Sequence, residues 1–273
     1  MTDRYAVIGN PVAHSRSPDI YTAFARATAQ DIEYLRLLAP VEGFGATVAS
    51  FRDAGGRGAS ITVPFKQAAF RLADAFSERA RIAGAVNTLQ FSPGQIFGDN
   101  TDGIGLVRDV AQNLGIAIAG KRLLLLGAGG AARGAMGPLL NQKPAFLVIA
   151  NRTEARAAEL AAQFAAAAAG TVASLSFAAL SGRQFDIVIN ATAASLAGEA
   201  TPLPEGLYAA GALAYDMMYA KGDTPFMTAA RAQGAQVADG LGMLVEQAAE
   251  SFFLWRGVRP ATRPVLESLR RAL

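Results

Sequence analysis

Short apolar runs alternate along the chain with longer stretches whose apolar positions recur every third or fourth residue. RYAVIG is followed by SPDIYTAFARA, IEYLRLLA by VEGFGATVASFRDA, and GASITVP by KQAAFRLADAF. The first kind of run predicts buried strands and the second predicts amphipathic helices. Their alternation predicts an α/β fold on a mostly parallel sheet. NTLQFS and QIFGD read as neighbouring strands joined across Pro93-Gly94, leading into a helix of roughly Thr101 to Leu114.

The texture changes at Gly115 to Lys121, which reads as a junction. KRLLLLGAGG opens a second β-α series that continues through AFLVIAN, TVASLSF, FDIVINAT and ALAYDMMY. From Gly240 the pattern is helical only, with LGMLVEQAAESFFLW and a last helix after Pro260. On pattern alone these helices could cap either domain. The uncharged segment between Glu159 and Arg183 is long enough to span a bilayer. It is rich in alanine and broken by Gln163, Gly170, Thr171 and three serines, and so predicts helix, turn and strand.

With 52% hydrophobic and 17% charged residues, the chain has ample material for a buried core. At 273 residues it suits two medium domains. The net charge of +3 offers no basic footprint for nucleic acid. The absence of cysteine removes disulfides, thiolate zinc sites and cysteine nucleophiles, and is compatible with a reducing cytosol. The opening MTDRYAVIGN lacks the long apolar core of a signal peptide. A cytoplasmic protein with neither a nucleic-acid nor a membrane partner is the expectation.

The strand KRLLLL runs directly into Gly127, Gly129 and Ala132, a G-x-G-x-x-A series in its required strand-turn-helix setting. The two glycines permit a tight turn and close approach to a pyrophosphate, and the following helix directs N-H groups at it. The next strand, LVIAN, ends at Asn151, 24 positions after Gly127. An acid there would hold the ribose 2′-hydroxyl of NAD. Arg152 instead offers a cationic fork suited to a 2′-phosphate, Thr153 can cap the next helix, and Arg156 lies in its first turn. NADP(H) is the predicted cofactor.

Three further stretches place hydroxyls, amides and charges at strand ends, where open α/β sheets bind ligands: GNPVAHSRSPDIY, SITVPFK, and GAVNTLQF with GDNTDGIG. With these, the chain resembles the shikimate dehydrogenases over nearly its whole length. HSRSP, TVPFK, AVNT, DNTDGIG, GAGGAA, NRT, NAT, DMMY and GLGMLVEQA occur in that family's order. There are two departures. SIT stands at 60 to 62 in place of Asn-Val-Thr, and NATAAS at 190 to 195 in place of Asn-Ala-Thr-Ser, so that Ser60 and Ala193 are unlike the family.

The resemblance implies an α/β substrate domain of residues 1–104 plus 240–273 and a Rossmann-type NADP-binding domain of 105–239. The C-terminal helices then return to the first domain. It implies reversible NADPH-dependent reduction of 3-dehydroshikimate to shikimate, without a metal, by a monomer or homodimer. Lys66 and Asp102 become the catalytic pair, also touching substrate. Ser15 and Ser17 become donors to the substrate carboxylate, and Thr62, Asn87, Tyr219 and Gln247 become further substrate contacts. Gly127, Ala128, Gly129, Gly130, Ala131, Asn151, Arg152, Thr153, Arg156, Thr192, Met217, Gly240 and Met243 become cofactor contacts. His14, the single histidine, is left a structural or positioning part.

Each position also has a plain structural use. Ser15 and Ser17 before Pro18 suit a helix cap. Lys66 after Pro64 suits a solvated lysine at a helix start and Asp102 a helix-start charge favoured by the dipole, while Tyr219 suits a core and Gln247 a packed helix. Two other functions remain open: a quinate/shikimate dehydrogenase of broader specificity, and a catalytically silent NADP-binding sensor.

Overall fold

The computed structural model describes residues 2–165, 170–192 and 201–273. The chain divides into two units, Met1–Gly105 with Leu244–Ala272, and Leu106–Met243 with the terminal Leu273.

The first unit is built on β1 (Asp3–Gly9), β2 (Ile32–Leu38), β3 (Gly56–Ile61), β4 (Ala75–Phe76), β5 (Thr88–Ser92) and β6 (Gln95–Asp99), in the sheet order β2-β1-β3-β5-β6-β4. β1 runs parallel to β2 and β3, and β4 parallel to β6. β5 runs antiparallel to both its neighbours, and the short Pro93-Gly94 link to β6 permits only a hairpin there. Helices α1 (Ser17–Ala27), α2 (Phe44–Asp53), α3 (Lys66–Leu72) and α4 (Glu78–Ala83) connect these strands, and α5 (Asp102–Arg108) leads out.

The pattern KQAAFRLADAF predicts one helix, but α3 stops at Leu72 and Ala75–Phe76 joins the sheet. Asp74 explains the break. Its carboxylate accepts the Ile96 N-H at 2.7 Å and its own N-H donates to the Ile96 carbonyl at 2.8 Å, drawing the chain against β6. Likewise, the helix predicted over 101–114 is α-helical only to Arg108. It widens into a π-helical turn, Asp109–Asn113, where buried Asp109 accepts from the Tyr215 hydroxyl at 2.7 Å.

The second unit carries β7 (Arg122–Leu126), β8 (Phe146–Ala150), β9 (Val172–Leu175), β10 (Phe185–Asn190), β11 (Tyr208–Asp216) and β12 (Gln236–Ala238). All pairings are parallel, in the order β12-β11-β10-β7-β8-β9. This is the doubly wound 3-2-1-4-5-6 order, whose direction reverses between β7 and β10. The uniform leucines of β7 follow from burial on both faces: Leu123 and Leu125 pack into one core, Leu124 and Leu126 into another. Helices α6 (Gly130–Asn141), α7 (Glu154–Ala165) and α8 (Pro225–Ala232) belong to this unit.

α9 (Leu241–Arg256) carries the chain back, and α10 (Arg263–Arg271) ends it in the first unit. The return is fixed by aromatic packing. Tyr21 of α1 stacks on Tyr34 of β2 at 4.2 Å between ring centroids, and Trp255 of α9 stacks on Tyr5 of β1 at 4.7 Å. No helix among the described residues is long and apolar enough to cross a membrane.

Candidate active site

In the first unit the predicted substrate residues gather at one end of the sheet. β3 delivers Thr62 and, after the cis Val63-Pro64 bond, Lys66 at the start of α3. Asn87 directly precedes β5, and β6 delivers Asn100, Thr101 and Asp102 at the start of α5. Lys66 Nζ donates to Asp102 Oδ2 at 2.5 Å, with the lysine side chain 33% and the aspartate 10% exposed.

Asn87 is the hub of this end. Its Oδ1 accepts the Thr101 backbone N-H at 2.9 Å, which can only donate, and so its Nδ2 faces the acceptors. Nδ2 reaches Asp102 Oδ1 at 2.8 Å, Thr101 Oγ1 at 2.9 Å and Gln247 Oε1 at 3.2 Å. One carboxylate therefore receives the ammonium on one oxygen and an amide on the other. Asp102 is held from both sides, and Lys66 keeps N-H bonds to spare for a ligand.

Ser15 and Ser17 also meet. Ser15 Oγ donates to Ser17 Oγ at 3.1 Å and accepts the Ser17 N-H at 3.3 Å. The capping position of α1 is Arg16, and no side chain caps it. Arg36, which the sequence reading missed, donates to the Ser15 carbonyl from Nε at 3.1 Å and from a terminal nitrogen at 2.8 Å. His14 is exposed, with no hydrogen-bond partner among the described residues. Ser60 is buried and its hydroxyl meets those of Tyr34 at 2.7 Å and Tyr21 at 3.1 Å, a network with no local sequence signal.

A second missed group braces the turn before Asp102. Asp99 accepts the Asn100 N-H at 2.7 Å, Ser77 Oγ at 2.5 Å and two Arg79 nitrogens at 2.7 and 2.5 Å. Arg79 continues to Glu250 at 3.1 Å, which Arg259 closes at 2.5 Å. Burial lowers the affinity of Arg79 for its proton, but the bonds and charges of Asp99 and Glu250 outweigh it and hold the guanidinium above its ordinary range.

In the second unit, Gly127 follows β7 with φ +108°, and a side chain there would meet the Ala191 carbonyl at 3.1 Å. Only glycine fits this turn. Gly129, extended and uncapped, precedes α6, and a Cβ there would meet nothing within 4 Å beyond its chain neighbours among the described residues. No side chain caps α6 and its first turn carries no acid, so the positive end of the helix is left for an anionic ligand. Ala128 and Ala132 are buried. Such a cradle fits a pyrophosphate.

Asn151 directly follows β8, its Nδ2 donating to the Thr153 carbonyl at 2.9 Å. Arg152 and Arg156 are exposed, and neither guanidinium has a partner among the described residues. At the next strand ends, Thr192 donates to Asn190 Oδ1 at 2.7 Å, and Asn190 donates to Asp216 at 3.2 Å. Asp216 also takes the Met218 N-H and the Thr224 hydroxyl. The buried Asn190 and Asp216, which the sequence reading passed over, thus orient the loops bearing Thr192, Met217 and Tyr219. Gly240 packs so closely on the Met217 carbonyl that a Cβ would lie 2.2 Å from it, and Met243 joins the core beneath β7. Ala193 lies outside the described residues. Among the described residues no cluster of acids or histidine could hold a metal.

A doubly wound parallel sheet with a glycine cradle at its switch point, in one chain with a lysine-carboxylate pair, defines a pyridine-nucleotide-dependent oxidoreductase. Three family descriptions match the sequence: "Shikimate dehydrogenase substrate binding domain" over residues 7–89, "Shikimate / quinate 5-dehydrogenase" over 109–197, and "Shikimate 5'-dehydrogenase C-terminal domain" over 240–270. A shikimate dehydrogenase (NADP(+)) of Aromatoleum aromaticum is 62% identical over 273 residues, covering 99% of this chain and 98% of its own. Among solved structures, an Ael1 enzyme from Pseudomonas putida is 50% identical with a TM-score of 0.92, covering 98% of each chain. Shikimate 5-dehydrogenase from Thermus thermophilus in complex with NADP(H) and shikimate is 33% identical with a TM-score of 0.88 over the whole of both chains. The chain belongs to the shikimate dehydrogenase family.

Proposed function

We propose that the chain catalyses the reversible reduction of 3-dehydroshikimate to shikimate with NADPH, as an enzyme of aromatic amino-acid biosynthesis. The observation that carries the reading is the 2.5 Å bond between Lys66 Nζ and Asp102 Oδ2, braced by Asn87. The first unit serves as the substrate domain and the second as the cofactor domain.

Bound NADPH supplies a hydride to the carbonyl carbon. Negative charge then develops on the carbonyl oxygen, and the Lys66 ammonium stabilises it and donates the proton that completes the alcohol. Asp102 holds the ammonium in place, and Asn87 holds Asp102. The partial exposure of Lys66 gives it access to solvent for reprotonation. Ser15 and Ser17 donate to the substrate carboxylate, while Thr62, Asn87, Tyr219 and Gln247 take its other oxygens. The cradle from Gly127 to Ala131 takes the pyrophosphate, and Arg152 with Arg156 takes the 2′-phosphate beside Asn151 and Thr153. Thr192, Met217, Gly240 and Met243 complete the cofactor contacts.

The test is a near-ultraviolet absorbance assay of NADPH formation from shikimate and NADP, repeated with quinate and with NAD. Turnover with shikimate and NADP is expected. Equal turnover of quinate would move the reading to a broader dehydrogenase. No turnover in a folded, NADP-binding protein would move it to a silent sensor. A cytoplasmic monomer or homodimer fits a small-molecule enzyme, and sedimentation analysis distinguishes the two.

A further inference from the structure

At the opposite end of the first sheet from Lys66 lies a pocket of about 200 Å³, lined by Asp3, Tyr5, Arg57, Gln90, Trp255 and Arg256. Three features of the fold build it. Tyr5, Gly58 and Gln90 form a row across β1, β3 and β5. Gly58 lacks the Cβ that would stand 2.6 Å from Trp255 Nε1, and the indole therefore lies directly on the sheet, donating to the Leu89 carbonyl at 3.0 Å. The pairing of β1 with β3 slips between Arg4 and Tyr5, which leaves Arg57 as the extra residue of a β-bulge. A bulge re-aims a side chain, and Arg57 meets Asp3 Oδ1 at 3.2 Å.

The polar groups are unequally committed. Arg256 is occupied by Asp3, by Gln30 at 2.8 Å and by the Tyr5 hydroxyl at 3.4 Å. Asp3 is thereby held below the usual carboxylate range, chiefly by its bond to Arg256. Arg57 uses only Nε, and its side chain is 60% exposed, so both terminal amino groups are free among the described residues. Gln90 spends its amide N-H on the Leu254 carbonyl at 3.4 Å and leaves Oε1 as a free acceptor. Two arginines against one aspartate make the pocket a net cation.

We propose that this pocket binds a small planar aromatic acid bearing a ring hydroxyl. The free fork of Arg57 suits a carboxylate in bidentate geometry, Gln90 Oε1 accepts the hydroxyl, and the Trp255 indole, stacked on Tyr5, lies at the pocket's edge, where a ring can meet it. The volume is sufficient, since a cavity of roughly 150 Å³ holds a benzene ring. No residue of this pocket belongs to the proposed catalytic site.

Trp255 is the only tryptophan in the chain and reports on the pocket directly. Titration of the full-length protein with 4-hydroxybenzoate, followed by calorimetry and by Trp255 emission, is expected to give one saturable site. Its affinity should fall at least about tenfold in Arg57→Gln, the loss of one charge-assisted contact, and the neutral 4-hydroxybenzamide should bind at least tenfold more weakly than the acid. Wild-type turnover of shikimate should be unchanged in Arg57→Gln. Absence of saturable binding, equal binding by Arg57→Gln, or equal binding of the amide would each overturn the proposal. Binding that survives Arg57→Gln would place the acid elsewhere on the protein.

Discussion

Lys66 and Asp102 are 36 positions apart, each begins a helix, and their side chains meet at 2.5 Å. Neither is interpretable alone, because a charged residue at a helix start is ordinary. Joined and braced by Asn87, they are the proton-handling unit of the proposed mechanism. Lys66→Ala is expected to lower kcat by roughly 10² to 10⁴ with NADPH affinity preserved. Asp102→Asn should also be severe, and the double variant should cost much less than the product of the single losses. Strictly multiplicative losses, or near-normal turnover in Lys66→Ala, would sink this chemistry.

Arg79 ties Asp99 to Glu250 and so ties the turn before Asp102 to α9. Asp99 and Glu250 are 3% and 11% exposed at the side chain, and removing the guanidinium takes from buried Asp99 the cation it is paired with, while Glu250 keeps Arg259. Arg79→Met should cost about 3 kcal/mol or more of stability, measured by urea denaturation. A loss within about 0.5 kcal/mol, the scale of a surface change, would mean that Asp99 finds solvent or other partners.

Local pattern made the β-α alternation legible, and the even burial of Leu123 to Leu126 on both faces is why that strand reads as uniform leucine. The glycine cradle was legible because Gly127 answers a backbone demand, its positive φ, directly after a buried strand. What could not be read is where distant polar groups decide the matter. β4 forms because Asp74 reaches Ile96, and α5 widens because Asp109 reaches Tyr215, 106 positions away. Arg36, Asn190 and Asp216 act through backbone carbonyls or other side chains, and nothing in the local pattern of IEYLRLL, DIVINAT or ALAYD shows those distant partners. The replacement at Ser60 becomes intelligible only with Tyr21 and Tyr34 in place above it.

Those tyrosines predict an alkaline limit. Burial pushes the Tyr21 phenol up to about 12, only partly opposed by bonds to Ser60, Ser251 and Tyr34. Tyr34 and Tyr215 are also raised, burial again being the first cause. A raised pKa means that the folded chain holds the proton more tightly, so this stabilisation is complete below about pH 10 and is lost as the pH rises towards about 12. Each pH unit in that window costs roughly 1.4 kcal/mol per such tyrosine. Tyr21→Phe should lose about 1 kcal/mol at pH 8 for its hydroxyl contacts. Its stability should then fall less steeply than the wild type's between pH 10 and 11, and parallel pH profiles would exclude Tyr21 as the source.

Arg152 is the residue proposed to select the cofactor. It stands two residues after β8, the strand whose end lies beside the ribose in a doubly wound sheet, where an acid would select NAD. Its guanidinium is exposed and unpartnered among the described residues, as is that of Arg156, so both are free for a dianionic group. Only NADP carries the 2′-phosphate. Arg152→Ala should therefore weaken NADP binding by roughly one to two decades, the worth of a charge-assisted contact, while NAD binding changes little. Arg156→Ala should act in the same direction. Adding salt should narrow the gap between wild type and variant, because an exposed ion contact is screened. Dissociation constants for both nucleotides at two salt concentrations measure all of this, and equal losses of NADP and NAD in Arg152→Ala would remove the arginine from the 2′-phosphate.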